Sequence, residues 1–256
     1  MNEPGKHIIV EVHEGVARLT LDRPPVNVLN IAMLNELNRA LKRFIDMPIK
    51  LLIITGKGRA FCAGVDVAEH LPDKAEQMLS TFHKTFDLLA SIEAPTLAAV
   101  NGAALGGGCE LATFCDFVIA GENAKFGQPE IRLGTLPPVA AALLPRLCGP
   151  RKAMELILTG MTIDAPTAEK FGLVNRVVAD DQLSAEVKVF SDELTALSAA
   201  AIRRAKRAVL SGLNQSFAGA FDSADAECLD TLLRAADARE GLRAFLEKRQ
   251  PVWTDA

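Results

Sequence analysis

The chain has 256 residues, with 28 Lys and Arg against 32 Asp and Glu, a net charge of −4, and hydrophobic and charged fractions of 49% and 23%. That balance belongs to a folded globular chain with enough apolar residue for a large core, and it excludes a disordered or low-complexity protein. With no Tyr, one Trp and a slightly acidic balance, neither a base-stacking surface nor an electrostatic footprint for nucleic acid is expected.

Residues 7–13 and 16–22 are β-rich and joined by Glu14-Gly15, which predicts a hairpin that ends at Pro24-Pro25. Asn30 is placed to cap a helix running to about Phe44, with Met33, Leu34, Leu37, Leu41 and Phe44 as its apolar stripe. Residues 51–55 form a short apolar run closed by Gly56, the pattern of a buried strand. A helix is predicted over 74–91, with Met78, Phe82, Phe86 and Leu89 in register. A strand at 96–100, a turn at Asn101-Gly102, a helix over 106–114 and a strand at 117–120 follow. Helices over 138–147, 150–159 and 165–171 then precede a strand at 174–178.

Strands alternating with helices point to an α/β fold with crossover connections and a parallel sheet. From 182 to 248 the periodicity is helical and no strand is expected. The chain therefore divides into an α/β core, 1–180, and a helical region, 181–256. No Pro-, Gly- or Ser-rich linker separates them, so the helices should pack on the core or on another subunit. The helix over 198–210 carries Arg203, Arg204, Lys206 and Arg207; the acidic balance favours a solvated face over a nucleic-acid patch.

No run of eighteen apolar residues is present, and the first residues lack the pattern of a secretory leader. Five Cys without a CxxC pair argue against disulfides and structural zinc, so a cytoplasmic protein with reduced thiols is expected. His7, His13, His70 and His83 show no metal-ligand pattern, and no GxSxG nucleophile motif occurs. Cys62 and Cys109 read as small packing residues.

Three segments carry chemistry: AFCAGVD (60–66), NGAALGGGCEL (101–111) and FGQPEIRLG (126–134). Gly64 permits an unusual turn that would aim the Val65 amide into a cleft. Gly106, Gly107 and Gly108 lie where a helix begins, at unpaired amides and the positive end of its dipole, a place for an anion or a developing oxyanion. A plain strand-to-helix turn reads equally well there. Glu110, in that first turn, either complements the dipole or handles a proton; Glu130, behind Pro129, is either a loop carboxylate or its partner. Two carboxylates meeting in apolar surroundings would separate their proton affinities, so that one accepts a proton while the other donates.

With LTLDRPPVNVLN (19–30), LTGMTIDAPTAEKFGLVNRVV (158–178) and FLEKRQP (245–251), these segments resemble the enoyl-CoA hydratase/isomerase (crotonase) family along nearly the whole chain. The resemblance implies a crotonase-like spiral of ββα units and a C-terminal helical region that builds homotrimers, often paired into hexamers. It implies an acyl-CoA thioester as substrate, no metal, and no cofactor beyond the coenzyme A of the substrate. The amides of Val65 and Gly107 look like the oxyanion hole, Glu110 like the activator of water, and Glu130 like the group that exchanges the α proton. Coenzyme A would lie along Ala63, Val65 and Asp66, with Lys248 reaching it from a neighbouring subunit. Both carboxylates favour hydration; an isomerase or a thioester hydrolase on the same scaffold is the alternative, and an RNA-binding member the non-enzyme one. The family's glycine-rich stretch at the acyl pocket is replaced by Pro137, Pro138 and Val139 followed by three alanines. That pattern is similar to hydratases of cyclohexa-1,5-diene-1-carbonyl-CoA in anaerobic aromatic degradation, against straight-chain hydratases of β-oxidation.

Overall fold

A computed structural model describes residues 2–4 and 6–255, with side chains from residue 6 onward. The first strands are β1 (Asn2–Pro4), β2 (Ile8–His13) and β3 (Val16–Leu21). β2 and β3 pair antiparallel, and Glu14 and Gly15 between them both take positive φ, 49° and 79°. That is the two-residue hairpin geometry whose twist matches the strands. Helix α1 (Ile31–Ile45) follows; the Asn30 side chain accepts from the Met33 amide, as the capping position requires.

Three strand–strand–helix units come next. They are β4 (Leu51–Gly56), β5 (Ala60–Cys62) and α2 (Ala75–Ser91); β6 (Thr96–Val100), β7 (Ala103–Leu105) and α3 (Gly107–Phe114); and β8 (Phe117–Gly121), β9 (Lys125–Gly127) and α4 (Pro138–Thr159). The core closes with β10 (Thr162–Asp164), α5 (Ala165–Lys170) and β11 (Arg176–Val178). The first strand of each unit joins a seven-stranded sheet, β1-β2-β3-β4-β6-β8-β11; the second joins a four-stranded one, β10-β9-β7-β5. From β3 to β11 the long sheet is parallel. Such a sheet needs cover on both faces. Leu52 and Ile54 belong to the main core, which includes Leu34, Leu41 and Phe82 of α1 and α2. Leu51, Ile53, Leu97 and Ile119 pack under Leu183 and Val187 of α6 (Leu183–Thr195).

The rest of the chain is helical: α7 (Ala199–Gly212), α8 (Phe217–Ala226), a π turn and a 3-10 turn, and α9 (Ala236–Glu247). None of the described helices is long and apolar enough to cross a membrane. Two expectations need correction. The strand predicted at 174–178 is paired only over 176–178, because the Asn175 amide and side chain bond instead to Val118. The basic face of α7 is only partly solvated: Arg207 is exposed, whereas Arg203, Arg204 and Lys206 are half-buried. Lys206 donates to the carbonyls of Ile92 and Ala94 and sits 2.6 Å from Asp116, Arg203 donates to the Ile49 carbonyl, and Arg207 pairs with Glu93. These partners lie about a hundred residues earlier, so the cations fasten the helices to the core. Asp116 also accepts from the amide and hydroxyl of Thr96 and is held from both sides.

Candidate active site

β5, β7 and β9 are mutually parallel, with Cys62 opposite Ala104 and Leu105 opposite Gly127, so their C-terminal ends lie side by side. Val65, Gly107 and Glu130 follow these three ends. Gly64 takes φ +116°, and the chain then forms a bridge to Leu29. The bridge bonds run from the Leu29 amide to the Gly64 carbonyl and from the Asp66 amide to the Leu29 carbonyl, which passes over the Val65 amide. Gly106 takes φ 50° and ψ −126°, a region open only to glycine, and starts α3 at Gly107, whose amide has no carbonyl one turn behind it. The two loops touch: a Cβ on Gly107 would lie 2.6 Å from Cγ2 of Val65 and 2.9 Å from Cζ of Phe82. Gly108 lies so close to β5 that a Cβ would meet the Cys62 carbonyl oxygen at 2.1 Å. The glycines thus bring the loop of Val65 and the start of α3 into contact.

Both carboxylates converge on this point. Glu110 is 2% exposed, and its Oε1 accepts from the Ala140 amide at 2.6 Å, in the first turn of α4. Burial, reinforced by the charge of Glu130, pushes its carboxyl up to about 7, although the amides of Ala140 and Val139 oppose the shift. Glu130 lies on a 3-10 turn, Pro129–Leu133. Its Oε1 would sit 2.4 Å from a Cβ on Gly106, and burial raises its carboxyl above the usual range, moderated by the nearby His70 imidazole. Two acids of elevated proton affinity therefore stand beside two free amides. Sequence reasoning missed the amide of Ala140; the Pro137-Pro138 helix start was its signal, since proline at the first helical position leaves the next amides free.

Residues 11–256 match the profile described as "Enoyl-CoA hydratase/isomerase". The chain belongs to that family. A probable enoyl-CoA hydratase of Mycobacterium bovis is 43% identical over 255 residues, covering 96% of this chain and 97% of the relative. The crotonyl-CoA hydratase of Syntrophomonas wolfei is 41% identical over 252 residues, covering 96% of both. The cyclohexa-1,5-dienecarbonyl-CoA hydratase of Thauera aromatica is 36% identical over 237 residues, covering 92% of both. The crystal structure of an enoyl-CoA hydratase from Bacillus anthracis superposes with a TM-score of 0.93 at 32% identity, covering 98% of this chain and all of that one. The crotonase-type fold with C-terminal helices is thus established.

In this family member a cleft of about 460 Å³ opens beside the loop that carries Val65. Ala63, Val65 and Asp66 line it together with Arg23, Pro24 and Val28, and Val65 also lies against Gly107. Arg23 was not anticipated. It donates to the Val28 carbonyl at 2.7 Å and lies 3.6 Å from Asp66, so it braces the cleft wall. Pro137, Pro138 and Val139 form the start of α4 and deliver the Ala140 amide to Glu110. Lys248 is exposed at the αL cap of α9 and does not line the cleft of its own chain. Burial pushes the Cys62 and Cys109 thiols up to about 12, the reverse of a nucleophile's environment. Among the described residues no group of three or more His, Cys, Asp or Glu could hold a metal ion.

Proposed function

We propose that this enzyme adds water across the double bond of an α,β-unsaturated acyl-CoA thioester. The carrying observation is the buried carboxylate of Glu110 and the half-buried one of Glu130, set beside the backbone of Val65 and Gly107. The thioester oxygen accepts from both amides, which draws electrons from the alkene and makes the β carbon electrophilic. Glu110, with Oε1 held by Ala140, takes a proton from water as the hydroxide oxygen bonds the β carbon. The alkene electrons pass to the thioester oxygen as an enolate; the enolate pair then re-forms the carbonyl as the α carbon takes the proton that Glu130 carried, and the proton left on Glu110 passes to Glu130 to restore both. Each oxyanion donor is worth about 3–4 kcal/mol in the transition state. The reaction draws on the chain's own groups, coenzyme A being part of the substrate, in a cytoplasmic setting.

For the acyl group we propose the cyclic diene carried by cyclohexa-1,5-diene-1-carbonyl-CoA. The support is the proline-rich start of α4, a rigid apolar segment beside Glu110, together with the Thauera aromatica relative. The Syntrophomonas wolfei relative favours a straight-chain substrate instead. Turnover of crotonyl-CoA and the cyclic thioester should be compared side by side, following water addition by mass. A preference for the ring is expected; a strong preference for crotonyl-CoA would sink the ring and leave the hydratase. Inactivity on both would remove the hydratase reading and turn attention to isomerisation or thioester hydrolysis.

We further propose a homotrimer, alone or paired into a hexamer. The last helices expose large apolar side chains, with Phe217 at 87%, Phe245 at 83% and Leu246 at 81%. Patches of this kind mark contact surfaces. Light scattering on the eluted protein should give three or six chain masses, and a monomer would refute the assembly.

A further inference from the structure

The turn that joins β3 to α1 carries Asn27, which is buried at 1% exposure and holds φ 55°, a left-handed backbone uncommon outside glycine. Its side chain is bonded at both ends. Oδ1 accepts from the Arg23 amide at 2.9 Å, and Nδ2 donates to the carbonyls of Lys57 at 3.0 Å, Ala60 at 2.9 Å and Phe61 at 3.2 Å. The last three bonds cross 30 to 34 positions. A turn that only linked β3 to α1 needs no such reach, since asparagine can satisfy its own local backbone. Ala60 and Phe61 lie where β5 is irregular: its register against β7 shifts between Ala60 and Cys62. An irregularity of this kind bends the strand, and Nδ2 holds the carbonyls at the bend. Beyond it the same two segments are laced together. The Ala63 amide donates to the Val26 carbonyl, the Leu29 amide to the Gly64 carbonyl and the Asp66 amide to the Leu29 carbonyl. Both segments line the cleft.

We infer that Asn27 is a positioning residue for the oxyanion site: by holding the carbonyls of Ala60 and Phe61 it fixes the path on which the chain leaves β5 for Gly64, and so the aim of the Val65 amide. This rests on the reading of that amide as a donor to the thioester oxygen, whichever step the carboxylates then perform. An oxyanion donor acts within a narrow range, about 2.7–3.1 Å from the charged oxygen. A misplacement of about 1 Å costs about a hundredfold. The charge on that oxygen grows as the enolate forms, so a mis-aimed amide lowers kcat more than it weakens ground-state binding. Asn27 does not line the cleft and acts through the backbone alone.

The test is Asn27→Gly, which keeps the left-handed backbone and removes the side-chain amide. Per folded molecule, kcat should fall about tenfold or more with KM within about twofold of the parent. Butyryl-CoA, saturated and isotopically labelled at the thioester carbonyl, reads the oxyanion donors by difference infrared spectra without turnover. Binding to the parent should lower the carbonyl stretching frequency, and the variant should lose about half of that shift or more, one of two donors being mis-aimed. If Asn27 only supports the fold, the variant melts lower but keeps the full shift and the parental kcat, which overturns the inference. A parent that binds butyryl-CoA with no shift removes the oxyanion reading, and the positioning role with it. A parent that shows the shift but hydrates no thioester loses the hydratase reading alone, and a smaller shift in the variant still supports the positioning role. Should Asn27→Gly not fold, Asn27→Ser, whose hydroxyl stops one bond short of Nδ2 and leaves a smaller void, carries the test by the same spectrum. A reduced shift there supports the role and an unreduced one overturns it.

Discussion

Glu110→Gln should lower turnover by roughly a thousandfold while raising the melting temperature at pH 8. General base catalysis by a positioned carboxylate contributes about 10²–10⁴-fold, and glutamine keeps the shape and the bond to the Ala140 amide but accepts no proton. The stability effect follows from the raised proton affinity of Glu110, about 7 in the folded chain against 4.5 as the ordinary value. Below the ordinary value both states are protonated and nothing is lost. As pH rises from there through 7, the unfolded chain ionises more readily, and native stability falls by up to about 3 kcal/mol. Above that window the loss is constant. The variant is free of it, so its advantage should appear between pH 4.5 and 7 and persist at pH 8. Calorimetry at pH 4 and 8 with steady-state kinetics checks both halves. A variant that melts lower than the parent at pH 8 would contradict the burial argument, and one with parental kcat would remove Glu110 from the chemistry.

Gly106→Ala should reduce kcat by about a hundredfold or more in a protein that still folds. The backbone at Gly106, with φ 50° and ψ −126°, is strained for any other residue at a cost of about 1–3 kcal/mol. The new methyl would also enter the space of Glu130 Oε1, 2.4 Å away. Relief comes from turning the Glu130 side chain or shifting the first amide of α3, and either change misaligns proton donor and oxyanion site. The expected fall in melting temperature is modest, about 2–4 °C per kcal/mol for a chain of this size. Wild-type kcat in this variant would mean that Glu130 Oε1 has no part in the reaction. Wholesale unfolding would mean that the turn is needed for the fold itself.

Most of the long sheet and its helices could be read from the chain because each element is long enough to display a period. Asn30, the hairpin at Glu14-Gly15 and the break between 147 and 150 were legible for the same local reason; Gly149 departs from the helix there with φ 74°. The four-stranded sheet was not legible. Its strands have three residues each, too few for alternation, and all four fall between the elements predicted from the chain. The candidate site was legible as motifs but not as an arrangement. Nothing local ties Glu110 to residue 140, and the partners of Lys206 and Arg207 lie 90 to 114 positions away. Charge sign alone therefore read only the exposed part of α7, at Arg207, and not the half-buried Arg203 and Lys206.

The site draws one group from the end of each of three successive short strands, while the long sheet keeps the core. This separates two kinds of inherited risk. Substitutions in the long sheet threaten folding, and selection must hold them tightly. The loops beyond β5 and β9, spanning 63–74 and 128–137, carry much less of the core, so apart from Val65, Gln128, Glu130 and the glycine backbones they are free to drift. A lineage built this way can explore new acyl groups one loop at a time without relearning how to fold.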